Sequence, residues 1–183
     1  MKRESQKNYQ IDLNKNVDTP LVAPVKFAFV HLNKPFDIAM VGQTALATRH
    51  LEISLVGQTM DFSHPKVSSK LKSWNIQEPS QLLSQYSNKY NDINKLQAAH
   101  PNSRLIGAVV KSGKNPFTFE WQDDDIITLG GANGLSMDDV KKMDDLITIP
   151  TPSDVDFLTV STVVAALGYH ILTTRGLWQK MQD

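Results

Sequence analysis

Cysteine is absent from this 183-residue chain. A disulfide framework, a thiolate zinc site and a cysteine nucleophile are therefore all excluded. Surplus charge is missing too: 19 Lys and Arg balance 19 Asp and Glu, which leaves no overall positive field to draw the protein onto nucleic acid. Any RNA contact must come from a local patch. No segment approaches the roughly eighteen apolar residues that span a bilayer. The opening MKRESQKNYQIDLNKN lacks the apolar stretch of a signal peptide. These absences predict a soluble protein with no membrane partner, compatible with a reducing cytoplasm. Repeats and low-complexity runs are also lacking.

The length suits one α/β domain with a sizeable core. Residues 1–24 are rich in Lys, Asn, Gln and Asp and read as a polar N-terminal arm, followed by one domain over 25–183. Lys2, Arg3, Lys7 and Lys15 in the arm are either phosphate contacts or a solvated tail. VKFAFVH at 25–31 is a short β-rich run, and DIAMVGQTALATRHL, from Asp37 onward, repeats its apolar positions at helical spacing. EISLVG at 52–57 is a second strand, so the domain opens on a βαβ unit, which implies a parallel sheet. Helices are predicted over 65–74 and 79–86, the latter opened by Pro79, and the polar stretch 88–101 reads as partly helical. Strands follow at 104–111, 126–129 and 146–149, with a helix over 136–143 capped by Ser136 and a last helix from Leu158 to about 180.

This alternation predicts an α/β fold, a parallel sheet with helices on both faces. Such sheets bind ligands at the carboxyl ends of their strands, where Ser112-Gly113, Gly130-Gly131 and Ile149-Pro150 all fall. The turn LGGANG at 129–134 lacks both the GxGxxG spacing and the GK[ST] ending, so a phosphate cradle is weakly supported. It reads either as a tight turn or as a surface that an uncharged adenine can approach closely.

LGGANGLS, the acidic helix, DLITIP and FLTVSTVVAALGYHIL follow one another in the order of motifs two and three of the TrmH-like (SpoU) branch of the SPOUT RNA methyltransferases. HLNKPFDIAMVGQTALATRHLEISLVG resembles that family's first motif, and RLIGAVVKSG the strand before its cofactor loop. The resemblance covers roughly residues 25 to 175. It implies a C-terminal trefoil knot, S-adenosyl-L-methionine as cofactor, a homodimer, and methyl transfer to a ribose 2′-oxygen of tRNA or rRNA. Carried over by position, the cofactor-binding residues are Val109, Gly130, Gly131, Ile149 and Leu158.

The catalytic positions of the family fall on different residue types. Its motif-one Arg, which helps activate the 2′-hydroxyl, is Gln43 here, and its Asn is Asp37. Gly131 or Ala132 stands where the family has Glu, and Thr159 replaces the Asn of motif three, while Ser161 keeps its type. Gln43, Asp37, Thr159 and Ser161 are thus the candidate catalytic residues. A glutamine amide is neutral and cannot supply the fixed charge of a guanidinium. Arg49, six residues on in the same predicted helix, is about 600° round and off Gln43's face. Asp37 suits a general base or an N-cap, and His31 a proton carrier or a strand-end residue bonded to backbone. His170 belongs to a dimer or core surface, and Asp123-Asp124-Asp125 to a solvated turn, with no metal expected. Lys111, Lys114, Lys141 and Lys142 are the candidate RNA grip.

Two further readings stay open: a catalytically inactive SPOUT-fold protein that binds S-adenosylmethionine or a partner, and an α/β binding module without cofactor.

Overall fold

The computed structural model describes residues 23–74, 79–151 and 157–176, with backbone alone for 79–82. Its centre is β1 (Lys26–Val30), where side chains alternate between two apolar layers as strand geometry dictates. Phe27 and Phe29 enter the larger layer, Ala28 and Val30 the smaller. Burying each phenylalanine contributes roughly 2 kcal/mol. β2 (Ile53–Val56) repeats the pattern, with Ile53 and Leu55 on the first side and Val56 on the second.

The helix between them, α1 (Pro35–Ala47), starts at a proline whose fixed φ suits a first turn, and buries Ile38, Ala39, Val41, Gly42 and Ala45 along one stripe. Downstream come α2 (Pro65–Ser73), α3 (Pro79–Tyr86), β3 (Ser87–Tyr90), α4 (Ile93–Ala99), β4 (Leu105–Ala108), β5 (Ile126–Gly130), α5 (Met137–Val140), β6 (Asp145–Ile147) and α6 (Val160–Thr174). Every ladder is parallel, in the order β3-β2-β1-β5-β4-β6. Residues of α1, α2, α3 and α6 fill the larger layer, while Ile93 and Leu96 of α4, with Leu135 and Met143 around α5, cover the other. The expected parallel sheet with helices on both faces is thus present. No helix among the described residues is long and apolar enough to cross a membrane.

Several sequence expectations need correction. Residues 87–90 are a strand that the reading of 88–101 as partly helical missed, because SNKY lies at the sheet edge and exposes Asn88 and Lys89 instead of alternating apolar side chains. Arg49 is not on α1: it follows the helix with φ 57, so the comparison of helix faces does not apply. Asp37 is not an N-cap, since Lys34 holds that position and Asp37 lies in the first turn. The last helix begins at Val160, capped by Thr159, so Leu158 precedes it. Of the arm, 1–22 lies outside the described residues. Ala23 and Val25 are already buried, and the Ala23 N–H donates to Arg49 O at 2.9 Å.

The β6 edge is wrapped. On one side β6 pairs with β4, and on the other the Lys114 N–H donates to Leu146 O at 2.8 Å while Lys114 O accepts from Thr148 N–H at 2.9 Å. The loop after β4 therefore passes round to the outer edge of β6, which is consistent with the expected knot. The passage through 152–156 lies outside the described residues.

At the opposite, amino edge, Asp123 and Asp124 are exposed as the solvated-turn reading expects, though each pairs with a cation, while Asp125 departs from it because it is buried. Asp125, 1% exposed, takes Arg104 bidentately at 2.8 and 2.7 Å. Asp124 takes Lys26 at 3.0 Å, and Asp123 takes Arg175 at 3.2 Å. Burial lowers the Lys26 ammonium, but Asp124 and Glu52 outweigh it and leave its pKa raised.

Candidate functional site

Parallel register places the carboxyl ends of β1, β5, β4 and β6 side by side. Ala108 is level with Leu129 and with Ile147, so the next residues, Val109, Gly130 and Thr148, gather at one edge. The Val109 N–H donates to Ile147 O at 2.9 Å and the Gly113 N–H to the Thr148 hydroxyl at 2.9 Å, which ties the loops after β4 and β6 together. Val109 and Ile149 are half-buried, the latter against the main core, and Leu158 is half-buried just before α6.

The glycine turn is packed against its own chain. A Cβ on Gly130 would stand 1.9 Å from the carbonyl carbon of Gly134, and one on Gly131 would stand 2.5 Å from His31 O. Gly134 N–H donates to Gly131 O at 2.9 Å, and Gly131 N–H to Val30 O at 2.8 Å. Both glycines are therefore required by the turn itself, whatever lies beyond it.

S-adenosylmethionine can be tested against these residues. The main-chain groups of Ile149 and Leu158 enter no backbone hydrogen bond among the described residues, and Val109, Ile149 and Leu158 present partly exposed apolar side chains. Val110, 49% exposed, and Phe157, 68% exposed, extend that apolar rim. Amides that are unpaired among the described residues and flanked by apolar side chains suit a purine, which needs both. The residues fit the cofactor's adenine.

The candidate catalytic residues fall into two groups. Thr159 and Ser161 are together: the Thr159 hydroxyl lies 3.2 Å from that of Ser161 and 2.8 Å from that of Thr162, and accepts from the Thr162 N–H at 3.4 Å. Asp37 and Gln43 are on α1, which packs directly on α6. Gln43 is exposed, Asp37 half-buried, and neither makes a side-chain hydrogen bond or ion pair among the described residues. His31 takes the backbone-bonded alternative: its Nδ1 accepts from the Gln58 N–H at 3.2 Å. His170 is half-buried, edge-on to Phe117 at 5.2 Å, and burial lowers its pKa.

Two of the four lysines expected to grip RNA are already paired. Lys114 pairs with Asp145 and Lys141 with Asp138. The Lys114 hydrogen bond holds the Asp145 carboxyl below its usual range. A cleft of about 370 Å³ lined by Arg104, Lys114, Phe119 and Asp145 lies apart from the glycine turn, and its two cations are already bound to Asp125 and Asp145.

Sequence reasoning missed Phe36, Lys70 and Trp74, which meet on the surface beside α1. The available signal was the interval of four from Lys66 through Lys70 to Trp74.

No family model matches the chain, and none of the curated proteins does. Solved structures do. A TrmH-family RNA methyltransferase from Porphyromonas gingivalis aligns with a TM-score of 0.69 at 18% identity over 83% of this chain and 60% of that one. The SpoU methyltransferase AviRb from Streptomyces viridochromogenes, in complex with AdoMet, aligns with a TM-score of 0.71 at 17% identity, over 87% and 62%. A protein whose structure concerns 2-OH methylation of C/U34 on tRNA aligns with a TM-score of 0.69 at 16% identity, over 83% and 97%. This chain thus spans about three-fifths of the first two proteins and nearly all of the third. It has the fold of the TrmH/SpoU methyltransferases.

Proposed function

We propose that this chain is an S-adenosylmethionine-dependent RNA methyltransferase that modifies a ribose 2′-hydroxyl of tRNA or rRNA, as a cytoplasmic homodimer. The observation that carries the reading is the wrapped β6 edge, which gathers the loops after β4, β5 and β6 at one end of a TrmH/SpoU-like sheet. When bound, S-adenosylmethionine supplies a methyl group activated by a sulfonium.

The chain's own residues then have limited but definite tasks. Val109, Ile149 and Leu158 hold the purine by apolar contact, with the main-chain amides of Ile149 and Leu158 beside it. The turn at Gly130 and Gly131 sets one wall. Asp37, a carboxylate in the first turn of α1, accepts the proton of the hydroxyl. Gln43 orients that hydroxyl or a neighbouring phosphate through its amide, without charge. Thr159 and Ser161 fix the start of α6, and with it Leu158. Alignment of nucleophile and methyl group supplies most of the rate in such a displacement. Tyr169, 45% exposed on α6, supplies apolar surface for the second copy.

A second reading, a catalytically inactive protein that still binds S-adenosylmethionine or a partner, is favoured by one observation. Gln43 is neutral and exposed where the resembled family has Arg, and the Thr159 hydroxyl is spent on capping. Calorimetry with S-adenosylmethionine followed by tritium transfer from the labelled cofactor to total RNA separates the two. Incorporated counts support the enzyme. Binding without counts supports the inactive protein, and no heat at high micromolar ligand removes the enzyme and the cofactor-binding form of the second reading.

A further inference from the structure

One surface beside the candidate site combines an exposed phenylalanine and a half-buried tryptophan with ammonium groups that hold no carboxylate among the described residues. Phe36, immediately before Asp37 on the first turn of α1, is 54% exposed. Its ring stands edge-on to Trp74 at 6.2 Å and 81°. Lys70 Nζ lies 5.4 Å from the Phe36 centroid and 5.3 Å from that of Trp74. Lys66, Lys70 and Trp74 follow at intervals of four, so they form one stripe along α2 and its C-cap. Lys34, the exposed N-cap of α1, lies two residues before Phe36.

Several cations hold no carboxylate among the described residues, and three of them lie on this surface. Lys26, Arg104, Lys114, Lys141 and Arg175 each hold a carboxylate. Lys34, Lys66 and Lys70 hold none among the described residues, and α2 carries no acidic side chain. An ammonium resting over two ring faces has only the weak attraction of the rings. Phosphate is a stronger partner. A strand of nucleic acid supplies both missing elements, a flat base for the ring and a phosphate for each ammonium. An acidic peptide supplies the charge but leaves the face of Phe36 in water.

We propose that Phe36 and Trp74, with Lys34, Lys66 and Lys70, form a stacking subsite for an unpaired RNA nucleotide flanking the one that is modified. The inference rests on the methyltransferase reading for the word "modified", and on the surface alone for the contact with RNA. Phe36 takes the base on its exposed face. Lys70 leaves the rings for the adjoining phosphate, and Lys34 and Lys66 take the phosphates on either side. Duplex RNA, whose bases are stacked on one another, has no free face to offer.

The test is fluorescence anisotropy of the full chain with a labelled RNA hairpin that has a single-stranded loop, against a blunt duplex of the same stem. Phe36→Ala and Phe36→Leu should each weaken hairpin binding about tenfold and leave duplex binding unchanged, while Phe36→Tyr binds as the parent does. Lys66→Ala should reduce the salt dependence by about one phosphate contact. Phe36 is largely exposed, so these variants keep the fold, and melting curves verify it.

Parent-like hairpin binding by Phe36→Leu overturns the subsite, as does failure of the parent protein to bind the hairpin. An acidic peptide that competes with the hairpin and loses affinity in the same variants overturns the assignment to RNA. Calorimetry with S-adenosylmethionine on the same samples reports on the methyltransferase reading separately. Cofactor heat without a Phe36 effect removes the subsite alone. Phe36-dependent hairpin binding without cofactor heat leaves the subsite standing and removes the reading.

Discussion

Lowering the pH from about 7 to about 5 should destabilise the protein by about 2 kcal/mol through one side chain, His50. The Thr48 hydroxyl donates to Thr44 O at 2.9 Å, so at 3.0 Å from His50 it can only accept, and Nδ1 carries the imidazole proton. Nε2 is buried with no partner among the described residues, and the ring lies 5.0 Å from that of Phe27. Protonation would put an N–H and a positive charge where nothing accepts them. Burial, only partly offset by Thr48, accordingly lowers the pKa from 6.5 to about 4. The unfolded chain binds a proton near the ordinary value and the folded chain does not. Stability is therefore fully present above that value and is lost as the pH falls from about 6.5 towards about 4. Urea titrations of the parent and His50→Leu at both pH values measure it. Burial lowers His100 and His170 as well, and their contribution is common to both proteins, so the difference between the two pH effects isolates His50. Equal losses in parent and variant would refute the reasoning. The consequence reaches the candidate site, because Thr48, which His50 holds, meets Gly168 where α6 rests on α1.

Three other expectations are open to direct measurement. Gly130→Ala places a Cβ 1.9 Å from the Gly134 carbonyl carbon, so the turn must open. A loss of about 3 kcal/mol, together with loss of cofactor heat, is expected in denaturation and calorimetry, and an unchanged melting temperature would contradict it. Asp125→Asn should cost about 2 kcal/mol by leaving Arg104 half-paired, and Asp123→Asn, at an exposed pair, under about 1 kcal/mol. Equal losses in chemical denaturation would show that burial of Asp125 is not what matters. Gln43→Arg should raise tritium transfer to RNA on the order of 100-fold by restoring a fixed charge. Unchanged transfer with intact cofactor binding would remove Gln43 from the reaction centre.

The sequence made the sheet legible wherever burial was two-sided. VKFAFV and IITLG are almost wholly apolar, as strands covered on both faces must be, and they became β1 and β5. β3 was hidden because an edge strand needs no apolar alternation: Ser87 to Tyr90 gain their place from the ladder with β2, a partner far away in sequence. The same limit explains Asp123 to Asp125. Three adjacent carboxylates look solvated, and Asp123 and Asp124 are, but the fold buries Asp125 against Arg104, 21 residues earlier in the chain. At the carboxyl edge, where the motif order directs attention, register sets Val109, Gly130 and Thr148 beside one another. Phe36 and Trp74 belong to separate segments, and nothing local to either reveals that they touch.

The central position of β1 has a consequence for synthesis. Its second neighbour is β5, with Lys26 level with Ile126, so a nascent chain can complete β1, α1 and β2 long before that partner exists. During that interval one side of β1 is an unpaired edge of apolar backbone, the kind that recruits other chains. Closing the ladder requires the whole intervening chain to be looped out, which slows folding as contact order rises. Arg175 arrives after every strand, and its bond to Asp123 joins the late α6 to the turn that leads into β5. Ribosome-bound chains that stop before residue 126 should therefore engage chaperones more than any longer ones.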